Sequence, residues 1–212
     1  VRRTAGALLL CLAGCGARPG VAPVASPPPP LAAEPSDWRR SATPADRDRL
    51  RRWRDAWVTA LAQARDAAGP ALITHGALLS IDAALPGPIP PVGAYRCRAF
   101  KLGRQGPAGA GFAGYPWFEC RVTAAADGEA QLVKLTGSQR QVGVIYRADA
   151  NRAVFLGTLM LGDEARAYAY GIDRTRDVAG WVERIGERRW RLVMPYPAFE
   201  STLDVLELVP AE

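Results

Sequence analysis

From residue 95 to residue 209 the chain is a succession of short apolar or alternating segments, each cut off from the next by turn residues. The segments are 95–102, 117–123, 130–135, 142–146, 153–161, 166–170, 181–185, 189–194 and 202–209. Between most of them lie Asp127-Gly128, Asp149-Ala150-Asn151, Gly162-Asp163, Gly171, Gly186 or the stretch from Pro195 to Pro197. Eight or nine short strands at this spacing predict a mainly β fold, an antiparallel barrel or sandwich, and we take the barrel-like form. Arg189, Arg191 and Val193 alternate with Trp190, Leu192 and Met194, which predicts one wet face and one buried face. Residues 153–161 are nearly all apolar and are expected to be buried on both faces.

The strands follow a helical segment. Thr43 suits an N-cap, Pro44 the first helical position, and Asp46 the first turn, where it complements the helix dipole. Leu50, Trp53, Trp57, Leu61 and Ala64 then recur at spacings of three and four, the stripe of one amphipathic α-helix. Gly69-Pro70 ends it. The arginines from 47 to 54 are interleaved with Asp46, Asp48 and Asp55, so they read as a solvated, paired face rather than a membrane-binding one. The stripe is expected to plug one barrel end or to pack across the outside of 153–161. The domain organisation is then a helix and connector over 37–90 and an antiparallel β domain over 91–212.

The N-terminal 36 residues read differently. Arg2 and Arg3 precede an apolar run over 5–13, nine residues against the roughly 20 needed to span a bilayer. The run fits the apolar region of an export signal. It ends in Leu12-Ala13-Gly14-Cys15, which resembles the lipobox of bacterial lipoproteins. Residues 1–14 are therefore expected to be a signal peptide and Cys15 the lipidated residue. Gly16, in place of Asp, implies sorting to the outer membrane with the protein facing the periplasm. Seven of the 21 residues from 16 to 36 are proline, and proline fixes φ and lacks an N–H. With Cys15 they form a tether of at most roughly 65 Å at the polyproline rise.

The net charge of +6 contains those two arginines, so the processed chain would carry +4. No clustered basic face accompanies it, and a nucleic-acid partner is not expected. Of 27 basic residues, 25 are arginine; the two lysines are Lys101 and Lys134. Hydrophobic residues at 49% and charged residues at 23% exclude a disordered chain and a multi-span membrane protein. Beyond Cys11 and Cys15 the cysteines are Cys97 and Cys120. If 95–102 and 117–123 pair as a hairpin, a register setting Cys97 opposite Cys120 also sets Tyr95 opposite Val122 and Ala99 opposite Phe118. In an oxidising compartment a Cys97–Cys120 disulfide is the expectation, with two separate buried thiols as the alternative. Two cysteines and one histidine without clustered spacing do not furnish a zinc site, and no metal or cofactor is expected.

No complete catalytic constellation is present. Gly109-Ala110-Gly111-Phe112-Ala113-Gly114 has the spacing of a dinucleotide fingerprint but opens no helix, so it reads as a flexible hairpin loop. His75, the one histidine, reads as an exposed loop residue, and Ser138 lacks the closing glycine of a nucleophile elbow, with Arg140 in its place. Glu119 and Glu200 each close a Tyr-Pro-x-Phe-Glu string, and two carboxylates brought together could hydrolyse a glycosidic bond. The strongest binding candidate is the turn Lys134-Leu135-Thr136-Gly137-Ser138-Gln139-Arg140. Its Lys134, Thr136, Ser138, Gln139 and Arg140 offer cations, hydroxyls and an amide, and barrel mouths are common ligand sites. Asp163 and Glu164, in the turn after the most apolar strand, are added to it. Trp38 and Trp117 flank linker and loop, where an exposed ring would be informative.

Several strings together resemble a bacterial domain-of-unknown-function family of exported or lipoprotein-type proteins. They are Asp37-Trp38-Arg39-Arg40, RDRLRRWRDAW (47–57), YRCRAFKLG (95–103), YPWFECRV (115–122), KLTGSQR (134–140), FLGTLMLGDEAR (155–166) and GWVERIGERRWRLVMPYPAFES (180–201). The resemblance covers nearly everything after the tether. It implies export and brings no catalytic residues with it. At fold level alone, the strand series is also similar to small lipocalin-like and protease-inhibitor barrels. The expected function is that of a periplasm-facing, outer-membrane-anchored lipoprotein acting as a binding or inhibitor module for a small ligand or an envelope protein. The alternatives are a carboxylate-dependent hydrolase of cell-wall glycan and a structural envelope protein with no small-molecule site.

Overall fold

In the computed structural model, which describes Val1, residues 37–106 and residues 109–211, eight of the nine segments form strands and a short ninth strand arises at 112–114. They are β1 (Gly93–Leu102), β2 (Phe112–Gly114), β3 (Phe118–Ala124), β4 (Ala130–Lys134), β5 (Gln139–Arg147), β6 (Arg152–Leu161), β7 (Asp177–Gly186), β8 (Arg189–Pro195) and β9 (Leu203–Pro210). The signal peptide, Cys15 and the tether lie outside the described residues. Neighbouring strands pair antiparallel in chain order, and β9 returns to pair with β1 from Tyr95↔Pro210 to Leu102↔Leu203. That pairing closes an eight-stranded antiparallel barrel, with β2 a short addition beside the end of β1. Closure satisfies the strand edges that an open sheet would expose.

The period of two sorts each strand between inside and outside. Cys97, Val122, Leu132, Ile145, Phe155, Val182, Leu192 and Leu206 fill the interior, as an eight-stranded barrel requires. Gly143 and Gly157 face each other across β5 and β6 beneath the Phe155 ring; a Cβ on either would lie within 2.7 Å of the opposing backbone and of that ring. The connector before β1 covers one barrel end. There Ile89 packs on the interior cluster, and Tyr95 donates to the Pro91 carbonyl at 2.7 Å.

The helix reading is right in its cap and stripe and too simple in its continuity. Thr43 caps α2 (Pro44–Arg51) by accepting from Asp46 N, and Arg52 breaks the axis before α3 (Trp53–Ala68). One further turn, α1 (Trp38–Ser41), precedes them. A 3-10 segment (Gly69–Leu79) follows. These elements lie across the barrel's outside and do not plug an end. Trp57, Leu61 and Ala64 pack on Phe100, Val193, Leu203 and Val205. Leu50 packs on Val154, Leu156 and Ala179.

This cover corrects the face assignment on β8. Arg191 and Val193 do point out of the barrel, but both are wholly buried beneath the helical layer. Alternation reports which way a side chain points, not whether water reaches it. A second correction concerns 166–170, which forms no strand and belongs to the connection from β6 to β7. Tyr170 in it donates to the buried Asp46 and accepts from Thr43 N at 3.0 Å, tying that connection to the N-terminus of α2. The third concerns the hairpin register. Cys97 lies opposite Phe118 and Cys120 opposite Tyr95, two residues from the expected alignment. The Cys97–Cys120 disulfide forms nonetheless, diagonally between neighbouring strands with Cα atoms 5.9 Å apart.

Candidate functional site at the barrel mouth

At the end opposite the connector, the inward positions change from apolar to polar. On β1 the inward series Tyr95, Cys97, Ala99 ends in Lys101. On β4, Ala130 and Leu132 lead to Lys134, and on β9 the apolar Leu206 and Leu208 are preceded by Asp204. Lys101, Lys134 and Asp204 line a cavity of about 220 Å³ with Phe118, Gln141 and Met194 as floor and Tyr115, Ser138, Gln139 and Glu200 at the rim. Both of the chain's lysines therefore turn into the same opening.

Lys134 is 3% exposed. Its Nζ donates to the carbonyls of Thr136 (2.8 Å) and Gln139 (2.9 Å) and sits 3.7 Å from the Phe118 ring centroid. Burial, with the Arg140 guanidinium nearby, pushes its pKa down to about 8. Gly137 closes the turn over it at φ +90°, where a Cβ would come within 2.7 Å of that Nζ. Lys101 pairs with Glu200 at 2.9 Å and with Asp204 at 3.4 Å. Burial disfavours its ammonium, but the two carboxylates outweigh that and hold its pKa above the usual value. Asp204 is buried, which raises its pKa against the opposing pull of Lys101 and of the Ser201 hydroxyl that donates to it.

The rim is built under strain. Tyr196 (φ +48°) and Glu200 (φ +69°) both sit in the left-handed region, which costs a non-glycine residue about 1 kcal/mol or more. Gln105 holds the loop in place by donating to the carbonyls of Pro197 (2.6 Å) and Ser201 (2.7 Å). The strain brings Glu200 over the mouth. On the floor, Gln141 is 5% exposed and its Oε1 is buried with no partner among the described residues.

The expected site residues divide. Lys134, Ser138 and Gln139 line the cavity. Thr136 Oγ1 accepts from Glu119 N at 2.9 Å and holds the turn. Arg140 reaches across to the carbonyls of Gly162 and Glu164, both at 2.8 Å. Glu164 itself accepts from Arg176 and from Leu161 N, and so anchors the connection to β7. Asp163 lies exposed in that same turn, outside the cavity lining. Glu119 points outward from β3, apart from Glu200. His75 is half-buried rather than exposed, its ring 4.7 Å from Phe100, and burial lowers its pKa. Trp38 is buried edge-on to Trp181, whereas Trp117 is partly exposed between the guanidiniums of Arg96 and Arg98. The glycine string ends in β2, and Gly111 lets it approach Ala67 on α3. Among the described residues no group of His, Cys, Asp and Glu is placed to hold a metal ion, and no helix is long and apolar enough to cross a membrane.

Lys101, Tyr115, Gln141 and Asp204 were not anticipated. Lys101 carried a usable signal, because it shares the period-two face of Tyr95 and Cys97.

Fold and site together define a small closed antiparallel β-barrel with a helical flank and a polar, charge-paired mouth. Residues 38–208 match the family described as Domain of unknown function (DUF4893), and the chain belongs to that family. No curated protein and no solved structure matches it.

Proposed function

We propose that this protein is a binding module: a periplasm-facing lipoprotein of the outer membrane, anchored through Cys15, whose barrel mouth takes a small ligand. The observation that carries the binding reading is the cavity of about 220 Å³ into which Lys101 and Lys134 turn, rimmed by Glu200 on strained backbone. Left-handed non-glycine residues persist where the surrounding structure enforces them, and such sites are often functional. A concave cavity, open at the barrel mouth, favours a small ligand over an envelope protein as the bound species, and it weighs against a purely structural role. A fragment library screened by NMR should perturb the side-chain amides of Gln139 and Gln141. A library that leaves both unmoved would remove the binding reading. For the anchor, globomycin treatment or Cys15→Ala should change processing; unchanged mobility with soluble release in both would remove the lipoprotein reading.

The glycan-hydrolase reading keeps one supporting observation, in a different pair of carboxylates from the one expected. Glu200 and Asp204 meet at the mouth, and burial raises Asp204 as a general acid requires. Lys101 bridges the two, however, and its ammonium opposes the rise at Asp204. Glycan turnover abolished by Asp204→Asn would reinstate that reading.

A further inference from the structure

The mouth is lined by charges that are already answered. Lys101 is neutralised by Glu200 and Asp204. Lys134 directs its N–H groups at two carbonyls and an aromatic face. Neither ammonium is free to hold a phosphate or a carboxylate. What remains unanswered is neutral. Gln141 Oε1, on a side chain 5% exposed, is an acceptor without a donor, and leaving such a group unpaired costs a protein stability. The same cavity is lined by the Gln139 amide, the Ser138 hydroxyl and the Tyr115 phenol, each able to donate and to accept. The remaining wall is apolar: Ala99, Met194 and the Phe118 ring.

We infer that the ligand is a neutral, hydroxyl-rich single ring of the pyranose class, which donates one hydroxyl proton to Gln141 Oε1 as that amide turns to meet it, and lays its C–H face on the apolar wall. The inference rests on the binding reading above. A pyranose has a polar edge whose hydroxyls both donate and accept, and an apolar face made of C–H groups, so it matches both halves of the lining. The cavity, about 220 Å³, is smaller than the ~300–1,000 Å³ typical of drug-sized ligands and fits one ring.

Methyl β-D-glucopyranoside and N-acetyl-D-glucosamine are titrated into the full-length chain, with inorganic phosphate, benzoate and uracil as comparators. The Gln139 and Gln141 side-chain amides are followed by NMR. Saturating shifts from at least one sugar, and none from phosphate or benzoate, are expected. Gln141→Leu should weaken the sugar about tenfold, one lost hydrogen bond to a buried acceptor. The same variant should unfold ~2–4 °C higher, since the unliganded protein no longer buries an unpaired oxygen. A structural role for Gln141 would lower the unfolding temperature instead, and that result overturns its assignment. Shifts from phosphate, benzoate or uracil without any from the sugars overturn the pyranose class while leaving the binding reading intact. Silence from all five probes overturns the inference, and the binding reading falls with it only where the fragment library is silent too.

Discussion

Replacing Arg191 with methionine should cost the protein about 3–5 kcal/mol, the range for breaking a buried ion pair from one side. The guanidinium is wholly buried between β8 and the helical cover. Its Nε and Nη2 donate to Glu183 at 2.8 and 2.6 Å. The remaining N–H groups reach the carbonyls of Ala77 (3.0 Å), Leu78 (2.8 Å), Ser80 (2.7 Å) and Ile81 (3.2 Å). The Trp57 ring centroid lies 5.0 Å from the guanidinium carbon. Methionine replaces the stem but none of the donors. It takes the guanidinium donors from those carbonyls and leaves the buried Glu183 with Arg152 alone, at 2.7 Å. Domains hold about 5–15 kcal/mol in all, so a loss of this size is a large share of the total. With a urea m-value of about 2 kcal/mol/M, the unfolding midpoint should fall by roughly 1.5–2.5 M. Tryptophan fluorescence and far-UV circular dichroism should shift together if cover and barrel unfold as one unit. Adding Glu183→Leu removes the stranded carboxylate, so the double variant should be less destabilised than the sum of the singles by at least ~1 kcal/mol. A loss below ~1 kcal/mol for Arg191→Met, or strict additivity in the double variant, would refute the reasoning.

Reducing the Cys97–Cys120 disulfide should cost roughly 3 kcal/mol in the chain-entropy model. Mass spectrometry without reductant, with alkylation as control, should show the two-dalton deficit; free thiols at both positions would refute the bond. Lys134 makes stability depend on pH. Its folded pKa of about 8 lies below the ordinary lysine value of 10.5, so the unfolded chain binds the extra proton between those values. The penalty for burying the ammonium is full below pH 8 and is relieved as pH rises, a gain of ~3 kcal/mol completed near pH 10.5. The difference between wild type and Lys134→Met in urea melts from pH 7 to 10 should follow that curve, and a flat difference contradicts it. Gly157→Ala should cost ~1–3 kcal/mol by overpacking, because its Cβ would lie 2.3 Å from the Val142 carbonyl oxygen; an unchanged unfolding midpoint would show that β5 and β6 are not so closely apposed.

The parts of the fold that were legible in the sequence are the local ones. Thr43-Pro44 marks a helix start because both residues act on their own backbone, and Asp127-Gly128 marks a turn for the same reason. The misread segment at 166–170 alternates like a strand, yet what holds Tyr170 is the cap of α2, 124 residues away at Asp46. The shifted register at the cysteines has a similar origin. The chain leaves the ladder between Gly114 and Phe118, and its pairing with β1 moves by one position across that break. The 134–140 turn was visible as a site because its polar residues are contiguous. Its counterparts were not, since Lys101 and Asp204 become neighbours only when β9 closes on β1. The helical cover explains why alternation misjudged Arg191. A barrel has two sides for every strand, and whether the outer one is wet depends on where a helix more than a hundred residues earlier comes to rest. Closure therefore converts one polar turn into a cavity, the helical cover converts one exposed face into a second core, and both steps rest on contacts between residues about a hundred positions or more apart.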